Sequence, residues 1–369
     1  MTFLNLNAQY RSIKKEIDAA VKRVLDGGFF IGGVEVEEFE KEIAKFCGSA
    51  YGLGVNSCTD ALYLSLKALG IGFGDEVITT PFTFIATAEV IANLGAKPVF
   101  VDIESETFNI NPELVEGSIT RKTKAIMPVH LFGQTADMAE IMKIAKKHKL
   151  PVIEDAAQAI GAKYKNKMAG SIGDIGCFSF FPTKNLAALG DGGMVVTDDK
   201  KTADKIRLLK NHGSSPKEKY LNLILGTNSR LDTIQAAVLR VKMKHLQKWN
   251  RKRAEKAVYY SRSLRGVGDI KTPPVGSGRT HIFHQYTIRT KSRDKLQKCL
   301  KDKVIPTMIY YPLPLHLQPA FKYLGYKKGD FPEAEKAAKE VLSLPLYPEL
   351  PLSDQNKIIK AISEFFQRR

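Results

Sequence analysis

The 369-residue chain has no run of eighteen apolar residues, no CxxC pair, no histidine–cysteine spacing suited to zinc and no GxxxxGK[ST] phosphate loop. A helical membrane span, a zinc module and a P-loop nucleotide hydrolase are thereby excluded, and no metal site is expected. Cys47, Cys58, Cys177 and Cys299 lie far apart and are read as reduced thiols, mostly buried. The first ten residues lack the charged-then-apolar order of a secretion signal, so the expected compartment is the cytoplasm. Acidic residues are in short supply, with 39 Asp and Glu against 56 Lys and Arg, a formal net charge of +17. Such a surplus steers anionic ligands toward a protein. No arginine–aromatic stacking platform accompanies it, and the lysines of stretches such as 143–149 and 242–256 are interleaved with apolar residues. That is the pattern of a solvated basic surface, and neither a nucleic acid nor a membrane is expected as partner.

What the chain has is apolar content, 44% of its residues, enough to bury a core without disulfides. Between Tyr51 and Thr197 short apolar runs alternate with helical patterns, the rhythm of an α/β domain. Strands are expected at 51–56, 76–80, 97–102, 124–129, 151–155, 176–181 and 193–197. Helices are expected at Thr59–Leu69, Thr83–Leu94, Pro112–Ser118 and Asp137–Lys147, with Asp137 as a cap. The implied architecture is three-layered, a mostly parallel sheet with helices on both faces. A long helix runs from Leu231 to about Leu264, and the glycine- and proline-rich stretch Gly266 to Gly278 marks a change of unit. The remainder reads as a smaller α+β unit: strand 283–289, helix 292–303, strand 306–311, and helices near 331–342 and 353–367. The division expected is a large domain over 1–250 and a small one over 251–369.

Three places carry chemistry. Val152-Ile-Glu154-Asp155 reads as a buried strand ending in two carboxylates, at the end of a parallel sheet where ligands bind. Side chains alternate, so only one of the two can face a given site. Downstream, an aromatic strand runs into Pro182-Thr183-Lys184 and a glycine-rich turn ending at Gly193. A lysine so placed is a candidate for a desolvated amine of lowered pKa, the kind that forms Schiff bases. Alternation sets Ser179 on the same face as Cys177 and Phe181. Upstream, Gly52 to Ala61 passes from a strand into a helix with Ser57 and Thr59 at its start, where exposed amides make a phosphate cradle. The pattern Gly-x-Gly-x-x-Ser lacks the third glycine of a dinucleotide fingerprint, and plain capping by Ser57 or Thr59 is the alternative reading. A phosphate cradle, a strand-end carboxylate and a lysine in a glycine-flanked turn are together what pyridoxal phosphate requires.

Six segments resemble the nucleotide-sugar aminotransferases of the DegT/DnrJ/StrS type, of the aspartate aminotransferase fold class: Asn56 to Leu62, Pro81 to Thr87, Pro128 to Gly133, Glu154 to Gln158, Ser179 to Asn185 and Gly190 to Gly193. The resemblance covers essentially the whole chain. It implies pyridoxal 5′-phosphate held as a Schiff base on Lys184, with Asp155 as partner of the pyridine nitrogen. It places Gln158 near the ring hydroxyl, Phe84 on the ring face, and Thr59, Asp60 and Ser179 at the phosphate, where Ser57 of the helix start is also expected to bind the cofactor. Asn228 resembles a residue given to the neighbouring subunit's phosphate, which implies a homodimer with a composite site. The reaction implied moves an amino group from L-glutamate, released as 2-oxoglutarate, to a keto-sugar on a nucleoside diphosphate. Some relatives carry histidine at the position of Lys184 and dehydrate the sugar; lysine favours transamination. The segment Met308 to Phe321 resembles the loop over the sugar, which makes Tyr310, Tyr311 and His316, with Arg230, the expected sugar or diphosphate contacts. His130 could approach the site or serve as a satisfied structural residue. No arginine lies between Arg293 and Arg368, so an arginine clamp for an α-carboxylate is missing from that stretch. The string from Ser179 to Gly193 looks most like members that aminate carbon 3 of the sugar. The alternatives are a 4-keto-sugar or cyclitol aminotransferase and, outside enzymes, a pyridoxal-phosphate-binding regulator.

Overall fold

The computed structural model describes residues 1–218 and 220–367. Its central sheet is built from β1 (Tyr51–Val55), β2 (Glu76–Thr79), β3 (Lys97–Phe100), β4 (Thr123–Ile126) and β5 (Ile153–Asp155). After a small hairpin, β6 (Lys163–Tyr164) and β7 (Lys167–Met168), come β8 (Ile175–Ser179) and β9 (Gly193–Thr197). The ladders β3-β2-β4 and β5-β8-β9-β1 are joined by the parallel bridges Ile126–Val152 and Val129–Asp155. Only β9 runs antiparallel to its neighbours, so the sheet is mostly parallel, as the alternation of elements requires.

Period-2 alternation divides each strand between two cores. Cys177 of β8 and Val195 of β9 join Leu62 and Leu66 of the helix Cys58–Ala68 on one face. Phe178, Phe180, Met194 and Val196 join Phe39 and Ile43 of the helix Val34–Cys47 on the other. Phe178 and Phe180 are fully buried, each worth about 1.5–3 kcal/mol in removed apolar surface. With helices on both faces, only the strand ends remain for a ligand.

The helix Thr233–Ser263 is the spine shared by the two expected units. Val238 and Trp249 pack with Ile17 and Val24 of the helix Lys14–Gly27, whereas Ala257 and Tyr260 belong to the core of the C-terminal unit. Residue 250 thus falls inside a continuous helix. The C-terminal unit holds the antiparallel pair β10 (Tyr286–Arg289) and β11 (Val341–Leu344), with the helices Arg293–Asp302 and Leu352–Gln367. Phe100 meets Phe321 and Phe331 edge-on, at ring-centroid distances of 6.0 and 6.2 Å, which seats the C-terminal unit on the strand ends of the large one.

Three expectations are corrected. The stretch 306–311 is not a strand: only Met308 bridges, to Ser343, because Pro306 and Pro312 remove ladder donors at its edges. The partner of β10 is instead β11, which begins where the expected helix 331–342 was to end. There the helix Pro332–Glu340 stops, and Val341 turns extended at φ −73°, ψ 139°. Asp137 does precede the helix Met138–His148, but its carboxylate accepts from the Tyr164 hydroxyl (2.7 Å) and Arg279 (3.0 Å) rather than capping the helix. Among the described residues no helix is long and apolar enough to cross a membrane, and the four cysteines are unpaired.

Candidate active site

The two carboxylates ending β5 serve different masters. Glu154, fully buried, accepts from the Gly170, Ile172 and Gly173 amides at 2.7, 2.6 and 2.6 Å and contacts His130 Nε2 at 2.7 Å. The Ala136 amide donates to His130 Nδ1, so the ring proton sits on Nε2 and is given to Glu154. His130 is therefore a satisfied structural residue. Asp155 faces the other way, onto a cavity of 540 Å³ at the strand ends. Its Oδ2 accepts from the Thr87 hydroxyl at 2.7 Å and its Oδ1 from the Ala157 amide at 3.2 Å. Burial pushes its pKa up against the pull of those two donors and of Lys184.

Lys184 comes to the same cavity from the turn after β8, its backbone amide bonded to the Phe181 carbonyl. Desolvation pulls its amine below the ordinary lysine range, opposed by Cys58 and Asp155. Among the described residues the amine has no hydrogen-bond partner and no carboxylate within ion-pair distance. The next residue is clamped: the Asn185 side chain donates to Asn250 Oδ1 at 2.7 Å and meets His284 Nδ1 at 3.2 Å. An amine left free on a backbone this firmly held is set up for attack on a carbonyl.

The helix Cys58–Ala68 starts at the cavity edge. The Ser57 hydroxyl caps it, accepting from the Asp60 amide at 3.1 Å, and Ser57, Thr59 and Ser179 all line the cavity. Gly193 of β9 lies against this turn so closely that a Cβ there would stand 2.3 Å from the Ser57 carbonyl carbon. Only glycine permits that approach, which brings the helix start beside the Lys184 turn. Phe84, Gln158, Tyr310 and Tyr311 also line the cavity. Gln158 accepts from the Phe132 amide (2.8 Å) and donates to the Tyr311 hydroxyl (3.2 Å), and Phe84 is 57% exposed beside Tyr311.

Lys184, Asp155, Ser57, Thr59, Ser179, Phe84, Gln158, Tyr310 and Tyr311 are thus brought together. Four other candidates are not on this cavity. Asp60 contributes only its capped amide. His316 is 2% exposed, bonded to Glu335 at 3.1 Å and packed edge-on against Phe331. Asn228 is exposed and bridges to Asn211, and Arg230 reaches Asn211 Oδ1 at 3.3 Å. Sequence reasoning passed over Thr87 and His284. For Thr87 a signal existed, a second threonine four residues after Thr83 at a helix start; for His284, which arrives from the C-terminal unit, there was none.

The site fits pyridoxal phosphate: a free, desolvated amine, a buried carboxylate and a helix start meet on one cavity of matching size.

Residues 11–363 match the model of the DegT/DnrJ/EryC1/StrS aminotransferase family. The chain is 54% identical over 366 residues to a pleiotropic regulatory protein of Geobacillus stearothermophilus, covering 99% of this chain and 98% of that one. It is 47% identical over 347 residues to the UDP-N-acetyl-3-dehydro-alpha-D-glucosamine 3-aminotransferase of Acidithiobacillus ferrooxidans, covering 94% and 93%. The crystal structure of S. venezuelae DesV in complex with a ketimine intermediate superposes with a TM-score of 0.97 at 43% identity, over 100% of this chain and 99% of that one. This chain belongs to the DegT/DnrJ/EryC1/StrS aminotransferase family.

Proposed function

We propose that this chain uses pyridoxal 5′-phosphate to transfer the amino group of L-glutamate to carbon 3 of a keto-sugar carried on a nucleoside diphosphate. The observation that carries the reading is the free, desolvated amine of Lys184 on the cavity that Asp155 also faces. Held as a Schiff base on Lys184, the cofactor supplies an electron sink for the carbon that bears the nitrogen. Asp155, buried and ionised, holds the proton of the pyridine nitrogen. Ser57, Thr59, Ser179 and the amides of the helix start hold the phosphate. Phe84 covers a ring face, and Gln158 lies at the ring hydroxyl. Lys184, once released, is the base that moves a proton to and from the substrate carbon.

Carbon 3 is supported by the Acidithiobacillus relative, whose name specifies a 3-dehydro sugar and a 3-amino product. Tyr310 and Tyr311 on the cavity wall suit a sugar, and the lack of arginine from 294 to 367 suits an acceptor without an α-carboxylate. A homodimer is part of the proposal. The loop that carries Asn228 and Arg230 also exposes Leu221, Leu223 and Leu225, an apolar edge suited to a second copy, with Asn228 reaching the neighbour's phosphate. Four free cysteines fit work in the cytoplasm. The name of the Geobacillus relative speaks of regulation, but residues 11–363 here are all matched by the aminotransferase family and the site keeps its lysine. Purified protein given glutamate with 3-keto and with 4-keto nucleotide sugars is expected to aminate the 3-keto compound; turnover of the 4-keto compound alone overturns the assignment.

A further inference from the structure

We propose that Thr83 and Thr87 form a two-hydroxyl relay that keeps Asp155 ionised and aimed into the cavity, with Thr87 as the positioning residue for that carboxylate. Thr83 and Thr87 are 3% and 1% exposed. The first precedes the helix Ala86–Asn93 and the second lies in its first turn, one turn apart on the same side. Thr87 Oγ1 stands 2.7 Å from Asp155 Oδ2 and 3.2 Å from Thr83 Oγ1. An ionised carboxylate can only accept, so the single Thr87 proton goes to Asp155. The Thr83–Thr87 contact must then run from the Thr83 proton to a Thr87 lone pair. Each hydroxyl strengthens the next, and the chain ends on the charge.

The relay matters because everything else around Asp155 is poorly suited to holding an anion. Burial opposes ionisation. Cys58 on the helix Cys58–Ala68 and Cys177 on β8 are thiols kept protonated by burial. The buried Tyr311 hydroxyl is also held protonated. Glu154 points to the other face, where it engages His130. Lys184 and His130 are the nearby side chains that can carry positive charge toward Asp155; as a Schiff base the Lys184 amine is committed elsewhere, and the His130 ring is engaged by Glu154. Besides the Ala157 amide, Thr87 is thus the donor left to hold the carboxylate, and both oxygens are fixed in direction while each keeps a lone pair free. That is the arrangement a protonated ring nitrogen requires.

This inference rests on the reading that Asp155 faces the cofactor, and the experiment separates the two. Apo-protein is titrated with pyridoxal phosphate from about pH 6 to about pH 9, with visible absorbance as readout, for wild type, Thr87→Val, Thr87→Ser, Thr83→Val and Asp155→Asn. Loss of the Thr87 donor raises the Asp155 pKa, so the carboxyl is neutral over more of the acid side. Thr87→Val is therefore expected to bind the cofactor about tenfold more weakly near pH 6, with the deficit shrinking as pH rises. Thr87→Ser restores the wild-type profile, and Thr83→Val shows a smaller shift in the same direction, which also serves if Thr87→Val does not fold. Weakening that is equal at every pH, or equal in Thr87→Val and Thr87→Ser, is a packing effect and overturns the relay. Wild-type binding by Thr87→Val while Asp155→Asn loses it overturns the relay alone; wild-type binding by Asp155→Asn overturns the underlying reading.

Discussion

Glu154 and Asp155 are adjacent in β5, yet one is bonded wholly within the protein while the other is presented to the cavity. Glu154 ties His130 and the 170–173 turn together at 0% exposure. Removing its charge leaves buried donors facing an amide, so Glu154→Gln is expected to lose about 3–5 kcal/mol of stability. Asp155→Asn is expected to keep most of its stability and lose cofactor affinity. Urea unfolding of both variants beside cofactor titration checks the division; a Glu154→Gln protein as stable as wild type contradicts it.

Gly193 sets the distance between β9 and the turn at Ser57. A methyl group there meets backbone rather than a side-chain tip, and backbone cannot rotate away. Gly193→Ala is expected to lose about 1–3 kcal/mol and, because the Ser57 turn must shift, to bind pyridoxal phosphate more weakly. Unchanged affinity would mean that the helix start is not the phosphate site.

Lys242 lies beneath the turn that carries Lys184, its Nζ donating to the Ala187 carbonyl at 2.7 Å. Burial pulls its pKa from 10.5 to about 8. Between those values the unfolded chain holds the proton and the folded one does not, so this residue makes stability rise with pH, by at most about 1.4 kcal/mol per pH unit. Below about pH 8 both states are protonated and the slope vanishes. The unfolding free energy of wild type minus that of Lys242→Met is thus expected to grow from pH 8 to pH 10.5. A difference that stays flat across this window contradicts the burial of the amine.

Much of the site could be read from residues because its parts are local. The strand ending in Glu154-Asp155, the lysine after Phe180-Phe181 and the hydroxyl-bearing helix start each lie within one short segment, and period-2 alternation correctly allowed only one carboxylate on the site. Failures came where distant packing decides. His316 sits in a segment matching a substrate loop, but the aromatic cluster of Phe321 and Phe331 draws it inward onto Glu335. Asp137 has the residue type and place of a cap, yet Arg279, 142 residues away, claims its carboxylate. The helix expected near 331–342 overruns into the first two residues of β11, because Pro332 to Glu340 is helical and nothing local announces that Val341 will pair with Arg289. The Thr83–Thr87 spacing is visible locally, but the contact that gives Thr87 its role is with Asp155, 68 residues on.

The central claim is that the Lys184 amine condenses with the cofactor aldehyde, forming an imine and releasing water. Borohydride reduction of protein loaded with pyridoxal phosphate, followed by peptide mass spectrometry, tests it directly. The expected result is a stable adduct on Lys184 and its loss in Lys184→Ala; an adduct on another lysine, or none on the loaded wild-type protein, would contradict it.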